Sequence, residues 1–527
     1  MGIMNKQALR KKLVEVGGST ALSRILGVLR EKLMAAFVGA TFGADAFFTA
    51  FKIPNTLRKI FAEGALSAAF IPTLVQTFRD EGKDAASRLM ALSFVIFEGI
   101  VLLLCVIGMY KAHAIISFIV PGWAPEKVAQ AVPLLQILMP FIFFISSSAL
   151  LAGALQAVNH FFVPAFSPVL LNIVFVSALM ICLYCNLPVT SLCYGIIFGG
   201  FVQFIAHVIA YFRLGFSLAE LDHAAYKKFG LVFMNFLLCL PAVSIVEVSL
   251  FVDTTFASYL PDGSISLIYY ANRFMGIPMG VFAIALSTIL LPHFSRISSY
   301  APKRLSYYLL EATKFVYWVT VPATALMIFF AQDIFVTIFM SKKFTMVHVL
   351  EAKNILTAYL LGLFFLSLNK ILLNMYYAYQ NMWLPAVFSL AAAVVNGVLD
   401  YVLVRVYGYG ATGLALATVA SGIVQTLCFI AGLKYYFNFD FYGREFFKFF
   451  VRYTAQLAAI LGLFFYVYGI VRSFIAQVLP HYISPTIVGW LLNTILFWVW
   501  VGPLCLLVFA SVYYFRKQCG VKLYFLD

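Results

Sequence analysis

Apolar residues run through this chain in stretches of twenty or more positions, and polar residues gather in the gaps between them. A helix needs about 20 such residues to cross the hydrocarbon of a bilayer. The runs predict fourteen spans, at 17–40, 47–77, 89–119, 130–157, 162–184, 190–212, 230–259, 265–295, 306–340, 347–379, 382–404, 411–433, 450–472 and 487–514. Several exceed a straight crossing, and Pro54, Pro72, Pro140, Pro278 and Pro322 supply places where they can kink. The first two runs break the pattern with charge. Arg24 and Arg30 lie in the first, Asp45 sits at its far turn, and Lys52, Arg58, Lys59 and Glu63 run through the second. A charge at the bilayer centre costs roughly 2.5–3.5 kcal/mol on insertion scales, so such residues face protein or a hydrated cavity. The pattern predicts a polar, cationic chamber between helices.

Composition agrees with the pattern. Of 527 residues 63% are hydrophobic and 11% charged, too apolar for a soluble protein of this size, so the expected class is an all-α, polytopic membrane protein. The net charge of +15 is scattered among the spans instead of gathered on a soluble domain, which argues against nucleic acid. Counted over the short connections, Lys and Arg number twenty on one side, including Lys11, Arg79, Lys228 and Arg444, against six on the other, including Lys127 and Lys343. The positive-inside rule then places both termini in the cytoplasm. MGIMNKQALRKK resembles the start of a signal peptide, but no small-residue cleavage site follows, so an uncleaved cytoplasmic start is expected.

Catalytic chemistry finds little to work with. Outer connections such as GATFGAD and LPDGSIS hold no carboxylate pair or His/Arg cluster, so the chain reads as a carrier and not as an enzyme. The seven His lack metal-ligand spacing and read as loop or interface residues. Cys182 and Cys185 form a CxxC with no second pair and no nearby His, which suits small packing residues better than zinc or redox chemistry. Glu98, alone in SFVIFEGIVLLL, is either a helix-pairing group or a titrating one.

An internal repeat is suggested by Leu66-Ser67 with Pro72 in the second span and Leu286-Ser287 with Pro292 in the eighth, an offset of six spans. An even offset keeps orientation, as in parallel-repeat transporters whose ligand sites lie between the halves. The expected organisation is an N-terminal lobe over 1–228, a C-terminal lobe over 229–440 and two further helices over 441–527. The second half offers its own cation, Arg273, so that Arg24, Arg30, Arg58 and Arg273 are candidates to converge on one anion, whose oxygens guanidinium forks bind in bidentate fashion. The alternative is that each pairs with an acid such as Asp45 or Glu63, or snorkels to the interface. Asp253, Asn396, Asp400 and Thr418 form a second constellation, of oxygen-bearing side chains within apolar runs. It suits a small hard cation, a proton, or a hydrogen-bond network.

The runs SRILGVLRE, GADAFFTAFKIPNTLRKIFAEGALSAAFIP and YYANRFMGIPMGVFAIALSTILLP resemble the MurJ (MviN) family of lipid II flippases, within the multidrug/oligosaccharidyl-lipid/polysaccharide exporter superfamily. The resemblance implies two six-helix lobes around a cationic cavity, plus two C-terminal helices forming a groove for a polyprenyl tail. It implies that Arg24, Arg30 and Arg273 match the family's cavity arginines, with Asp45, Lys52, Arg58 and Glu63 at its charged second-span positions. It also implies a sodium site at Asp253, Asn396, Asp400 and Thr418 with the Leu414 carbonyl, sodium being one candidate for the coupling ion beside a proton or the membrane potential, and no other cofactor is expected. Many members flank the eighth-span arginine with acids where this chain has Asn272 and Gly276. Either the cavity is then more cationic, or Glu247 or Asp253 supplies the counter-charge. The implied function is movement of lipid II, the polyprenyl-diphosphate-linked wall precursor, from inner to outer leaflet of the bacterial cytoplasmic membrane. Lipid II, membrane lipids and wall-synthesis proteins are the expected partners. The runner-up is a cation-coupled exporter of drugs or of another polyprenyl-linked oligosaccharide.

Overall fold

The computed structural model describes residues 6–60, 65–158, 160–217, 223–284, 286–287, 290, 294–295, 297, 302–482 and 484–521. Every regular element among them is a helix. Backbone amides in hydrocarbon must find partners within the chain, and a helix satisfies them locally.

Packing divides the chain into two compact units, Met1–Ser266 and Leu267–Asp527. In the first, α1 (Lys6–Phe37) and α2 (Phe42–Arg58) precede the long α3 (Ala65–Tyr110), followed by α4 (Ala112–Ile119), α5 (Pro125–Leu138), α6 (Phe141–Ala157), α7 (Phe162–Tyr184), α8 (Val189–Arg213) and α9 (His223–Ala257). α1 lies along α7, α7 and α6 both pack on α8, and α3 is flanked by α6 and α9. α3 is two helices joined at Gly82, whose φ of 85° lies in the left-handed region that glycine enters without a Cβ clash. The expected repeat boundary at 228/229 concerns ancestry; the packing boundary concerns contact and leaves α9 with the first unit.

α10 (Ser264–Pro278) begins at the junction and ends in a π-helical turn, Met279–Ile284. The second unit continues with α11 (Pro302–Phe329), α12 (Ala331–Phe339), α13 (Met346–Leu361), α14 (Leu363–Ala378), α15 (Trp383–Asp400), α16 (Gly410–Phe437), α17 (Gly443–Ser473), α18 (Pro485–Asn493) and α19 (Phe497–Tyr514). α16 is the hub, packed on α13, α14 and α15. Polar side chains clamp it. Asn369 Nδ2 donates to the Gly422 carbonyl at 2.9 Å, and Thr426 Oγ1 donates back to Asn369 Oδ1 at 2.8 Å. Around them Leu290, Ile371, Met375, Tyr376 and Phe429 form a closed apolar cluster.

By length and composition, nine helices among the described residues can cross a membrane, or ten if the bent pair Met346–Leu361 and Leu363–Ala378 is one span. The expected fourteen are not reached by that measure. α1, α2, α9 and α10 are not among the nine, and these four carry Arg24, Arg30, Asp45, Lys52, Arg58, Asp253 and Arg273. α1 holds Arg24, Arg30, Glu31 and Lys32 close together, and α2 is only 17 residues long.

Candidate functional site

In the first unit the charged residues of the two opening helices are directed to different neighbours. Arg24 is exposed on α1, and no described residue hydrogen-bonds it. Six residues on, less than two turns, Arg30 is only 15% exposed and is held on three sides. Its guanidinium donates to Asn172 Oδ1 of α7 at 3.0 Å and to Glu31 Oε1 at 2.8 Å, and it lies 5.1 Å from the Phe175 ring centroid. Asn172 in turn donates to the Ser23 hydroxyl at 3.1 Å, so one amide ties both ends of an α1 segment to α7. Neighbouring apolar contacts add to this, since a guanidinium stacked on an aromatic face gains about 0.5–2 kcal/mol.

Asp45 lies deepest. It is 3% exposed, and its two carboxylate oxygens accept the backbone N–H groups of Gly263 at 2.7 Å and Ser266 at 2.8 Å. These amides belong to the opening turn of α10, where helix N–H groups lack intrahelical partners and a carboxylate is favoured. The chain comes close here, for a Cβ on Gly263 would stand 2.5 Å from the Ala40 carbonyl oxygen, and its φ is +94°. Lys52 reaches Thr254 Oγ1 of α9 and lies 5.6 Å from the Phe251 ring centroid. Arg58 is half-buried, its Nε donating to Asn55 Oδ1 at 3.1 Å. Asp253 is buried on α9. Glu63 and the side chain of Glu247 lie outside the described residues.

In the second unit Arg273 is exposed on α10, 5.9 Å from the Tyr269 ring centroid. Four of the predicted cation-site residues meet on α15 and α16. Asn396 Nδ2 donates to Asp400 Oδ2 at 3.0 Å, one helical turn apart, and Thr418 Oγ1 donates to the Leu414 carbonyl at 3.0 Å. Ser421, which sequence reasoning missed, joins them, its single hydroxyl proton lying between Asn396 Oδ1 at 3.1 Å and the Thr418 carbonyl at 2.9 Å. Its spacing from Thr418, three residues along one helix face, was the available signal. Asn396 and Asp400 are buried, so this is an oxygen-rich patch within apolar helices. Among the described residues no group of three His, Cys, Asp or Glu side chains could hold a metal ion; within the second unit this patch offers amide, hydroxyl and carbonyl oxygens beside the Asp400 carboxylate.

One undecided residue finds a place and one expectation is corrected. Glu98 accepts from Ser146 Oγ at 2.8 Å and so pairs α3 with α6. His207, expected in a loop or at an interface, is instead buried in α8 with Nδ1 2.9 Å from the Gln203 carbonyl. Its Nδ1 meets the carbonyl one turn back along the same helix, while the ring lies beside Gln203.

Comparison with known proteins bears on the whole chain. The family described as "Lipid II flippase MurJ" matches residues 34–485. The Lipid II flippase MurJ of Burkholderia cenocepacia is 32% identical over 437 residues, 81% of this chain and 84% of the relative. A probable lipid II flippase MurJ of Vibrio cholerae is 31% identical over 82% of this chain and 83% of its own length. Among solved structures, "Lipid II flippase MurJ, inward closed conformation" superposes with a TM-score of 0.75 at 26% identity, covering 95% of this chain and 99% of that one. An inward-facing multidrug resistance MATE family transporter of the MOP superfamily shares the fold, with a TM-score of 0.67 at 13% identity over 78% of this chain and 93% of its own.

Proposed function

The chain belongs to the lipid II flippase MurJ family, and on that premise we propose that it carries lipid II from the inner to the outer leaflet of the bacterial cytoplasmic membrane, with both of its termini in the cytoplasm. It is a transporter and not an enzyme. The task is physical. A diphosphate with its sugar-peptide headgroup cannot enter hydrocarbon, where unsatisfied polar groups cost several kcal/mol each and charges far more. The protein has to replace water around the headgroup while the polyprenyl tail stays in an apolar setting.

The observation that carries this reading is Arg24, a guanidinium left exposed on α1, whose neighbour Arg30 is held by Asn172, Glu31 and Phe175. A cation held by protein partners is a structural element; one without them is available to phosphate oxygens, which guanidinium binds with paired hydrogen bonds. Arg58, in the same unit, is half-buried and donates to Asn55 Oδ1, so it is not counted with Arg24. Arg30 and Lys52 serve chiefly to fix α1 on α7 and α2 on α9. The tail lies against α17 and α19, which pack together and leave Leu463, Tyr466, Val499, Leu506 and Leu507 exposed. Likeness to the drug exporter rests on fold alone.

The test is a leaflet-accessibility assay. Protein reconstituted in vesicles with labelled lipid II makes the headgroup accessible from the opposite face, and Arg24→Ala slows this at least tenfold. Translocation by Arg24→Ala at the unaltered rate, or none by the natural protein, overturns the proposal.

A further inference from the structure

Within the first unit a cavity of about 360 Å³ opens between α3, α6, α7 and α8, with Arg58 of α2 on its wall. That volume lies within the range of small-molecule sites, roughly 300–1,000 Å³. Its polar lining is Arg58, Ser148, Gln156, Ser167, Gln203 and His207, and the rest is small or aliphatic, Ala149 and Ala152 among it.

The hydrogen-bond inventory of this lining is lopsided. The Ser148 hydroxyl donates to the Phe144 carbonyl at 2.7 Å and that of Ser167 to the Pro164 carbonyl at 3.2 Å, so both protons are committed and only lone pairs remain. His207 Nδ1 faces the Gln203 carbonyl, which can only accept, so Nδ1 carries the proton and Nε2 of the neutral ring is an acceptor. Gln203 Nε2 points to Ser167 Oγ at 3.4 Å, while its side-chain oxygen is buried with no hydrogen-bond partner among the described residues. A buried acceptor left unsatisfied is unfavourable, and a ligand donor would relieve it.

This chemistry selects a ligand. A fully ionised phosphate carries no donor for Gln203 or His207, and an ammonium is disfavoured by the Arg58 charge. A neutral group with donors and a small apolar face fits both constraints. An acetamido group has an N–H for an acceptor such as Gln203 Oε1, a carbonyl for a donor such as Gln156, and a methyl for Ala149 and Ala152, while the hydroxyls of its sugar ring supply further donors. We propose that this cavity is a subsite for an N-acetylated sugar of the lipid-linked headgroup, recognised by the acceptor set of Gln203 and His207. The assignment rests on the lipid II reading and adds to it a determinant for the sugar, distinct from the Arg24 guanidinium that meets the diphosphate.

The experiment measures binding of three probes to the full chain in lipid nanodiscs: lipid II, the same lipid with its amino sugars de-N-acetylated, and undecaprenyl diphosphate without sugar. The natural protein binds lipid II about tenfold more tightly than the de-N-acetylated lipid. Gln203→Leu, which removes the acceptor, and Ala152→Phe, which fills the cavity, abolish that preference and bind undecaprenyl diphosphate as before, which also reports that they are folded. Equal binding of the first two probes by the natural protein overturns the subsite, as does a preference retained by both variants. Should one variant fail to fold, the other decides the location. Natural protein that translocates lipid II in vesicles without acetyl preference loses the subsite and keeps the function; protein that translocates none loses the function itself.

Discussion

At the scale of single residues, chemically similar side chains at neighbouring positions do different work, and substitutions should separate them. Arg24 is an exposed charge, whereas Arg30 uses its planar fork to reach Asn172 and Glu31 at once. Lysine keeps the charge but loses the fork. Arg24→Lys should therefore retain most lipid II translocation, and Arg30→Lys little, when both are compared in reconstituted vesicles at equal protein content; equal losses would show that Arg30 is not held as described. Asp45 and Gly263 give a second contrast. Asp45→Ala leaves two buried N–H groups without an acceptor, at about 1–3 kcal/mol each. Gly263→Ala forces a Cβ toward the Ala40 carbonyl oxygen at a φ that side chains resist, adding strain of about 1–3 kcal/mol. Both should lower the melting temperature by several degrees in a thermal unfolding assay, while alanine at Gly276, where a Cβ meets nothing within 4 Å, should leave it unchanged.

At the scale of elements, what the sequence made legible follows from how each signal arises. Long apolar runs are visible because lipid demands them, and α7, α8, α15 and α16 appear close to the expected spans 162–184, 190–212, 382–404 and 411–433. The break at Gly82 falls in the connection expected between the spans 47–77 and 89–119, where FRDEGKDAASR turns polar; what that stretch does not announce is that helix continues on both sides of a single φ of 85°. The partners of Arg30 were equally hidden, because Asn172 is 142 residues away and nothing in FSPVLLNIVF marks it as an acceptor for a distant cation. Long-range polar contacts have no period to read. Asn172 thus becomes the testable joint between α1 and α7. Asn172→Leu removes the acceptor of Arg30 and the donor to Ser23 together, and should lower the unfolding temperature by more than the same change at the exposed Gln136. If the two variants melt alike, the α1–α7 joint rests on apolar packing alone.

At the scale of the molecule, a carrier must bind its anion on one face and release it on the other, so some second variable has to weaken the attraction between cation and phosphate. A membrane potential supplies about 2.3 kcal/mol per charge per 100 mV. An ion bound within the second unit is a further variable, and Asn396, Asp400, Thr418 and Ser421 with the Leu414 carbonyl offer it a place. Most of this patch was named from the sequence, Asn396 and Asp400 by their spacing on one helix face and Thr418 as an oxygen within an apolar run, with the Leu414 carbonyl implied by the resemblance; Ser421 was passed over although it lies three residues from Thr418. Sodium and a proton make opposite demands on Asp400, which must be ionised for the first and is neutralised by the second. A ligand at a hundred times its Kd stabilises the state that binds it by about 2.7 kcal/mol. If sodium is the ion, replacing choline with sodium should raise the melting temperature of the natural protein by a few degrees, and Asp400→Asn and Ser421→Ala should remove or shrink the rise. If a proton is the ion, melting should shift with pH in choline alone, and Asp400→Asn, an imitation of the neutral carboxyl, should melt as the natural protein does at low pH. A natural protein whose melting responds to neither would leave the potential as the variable that drives release.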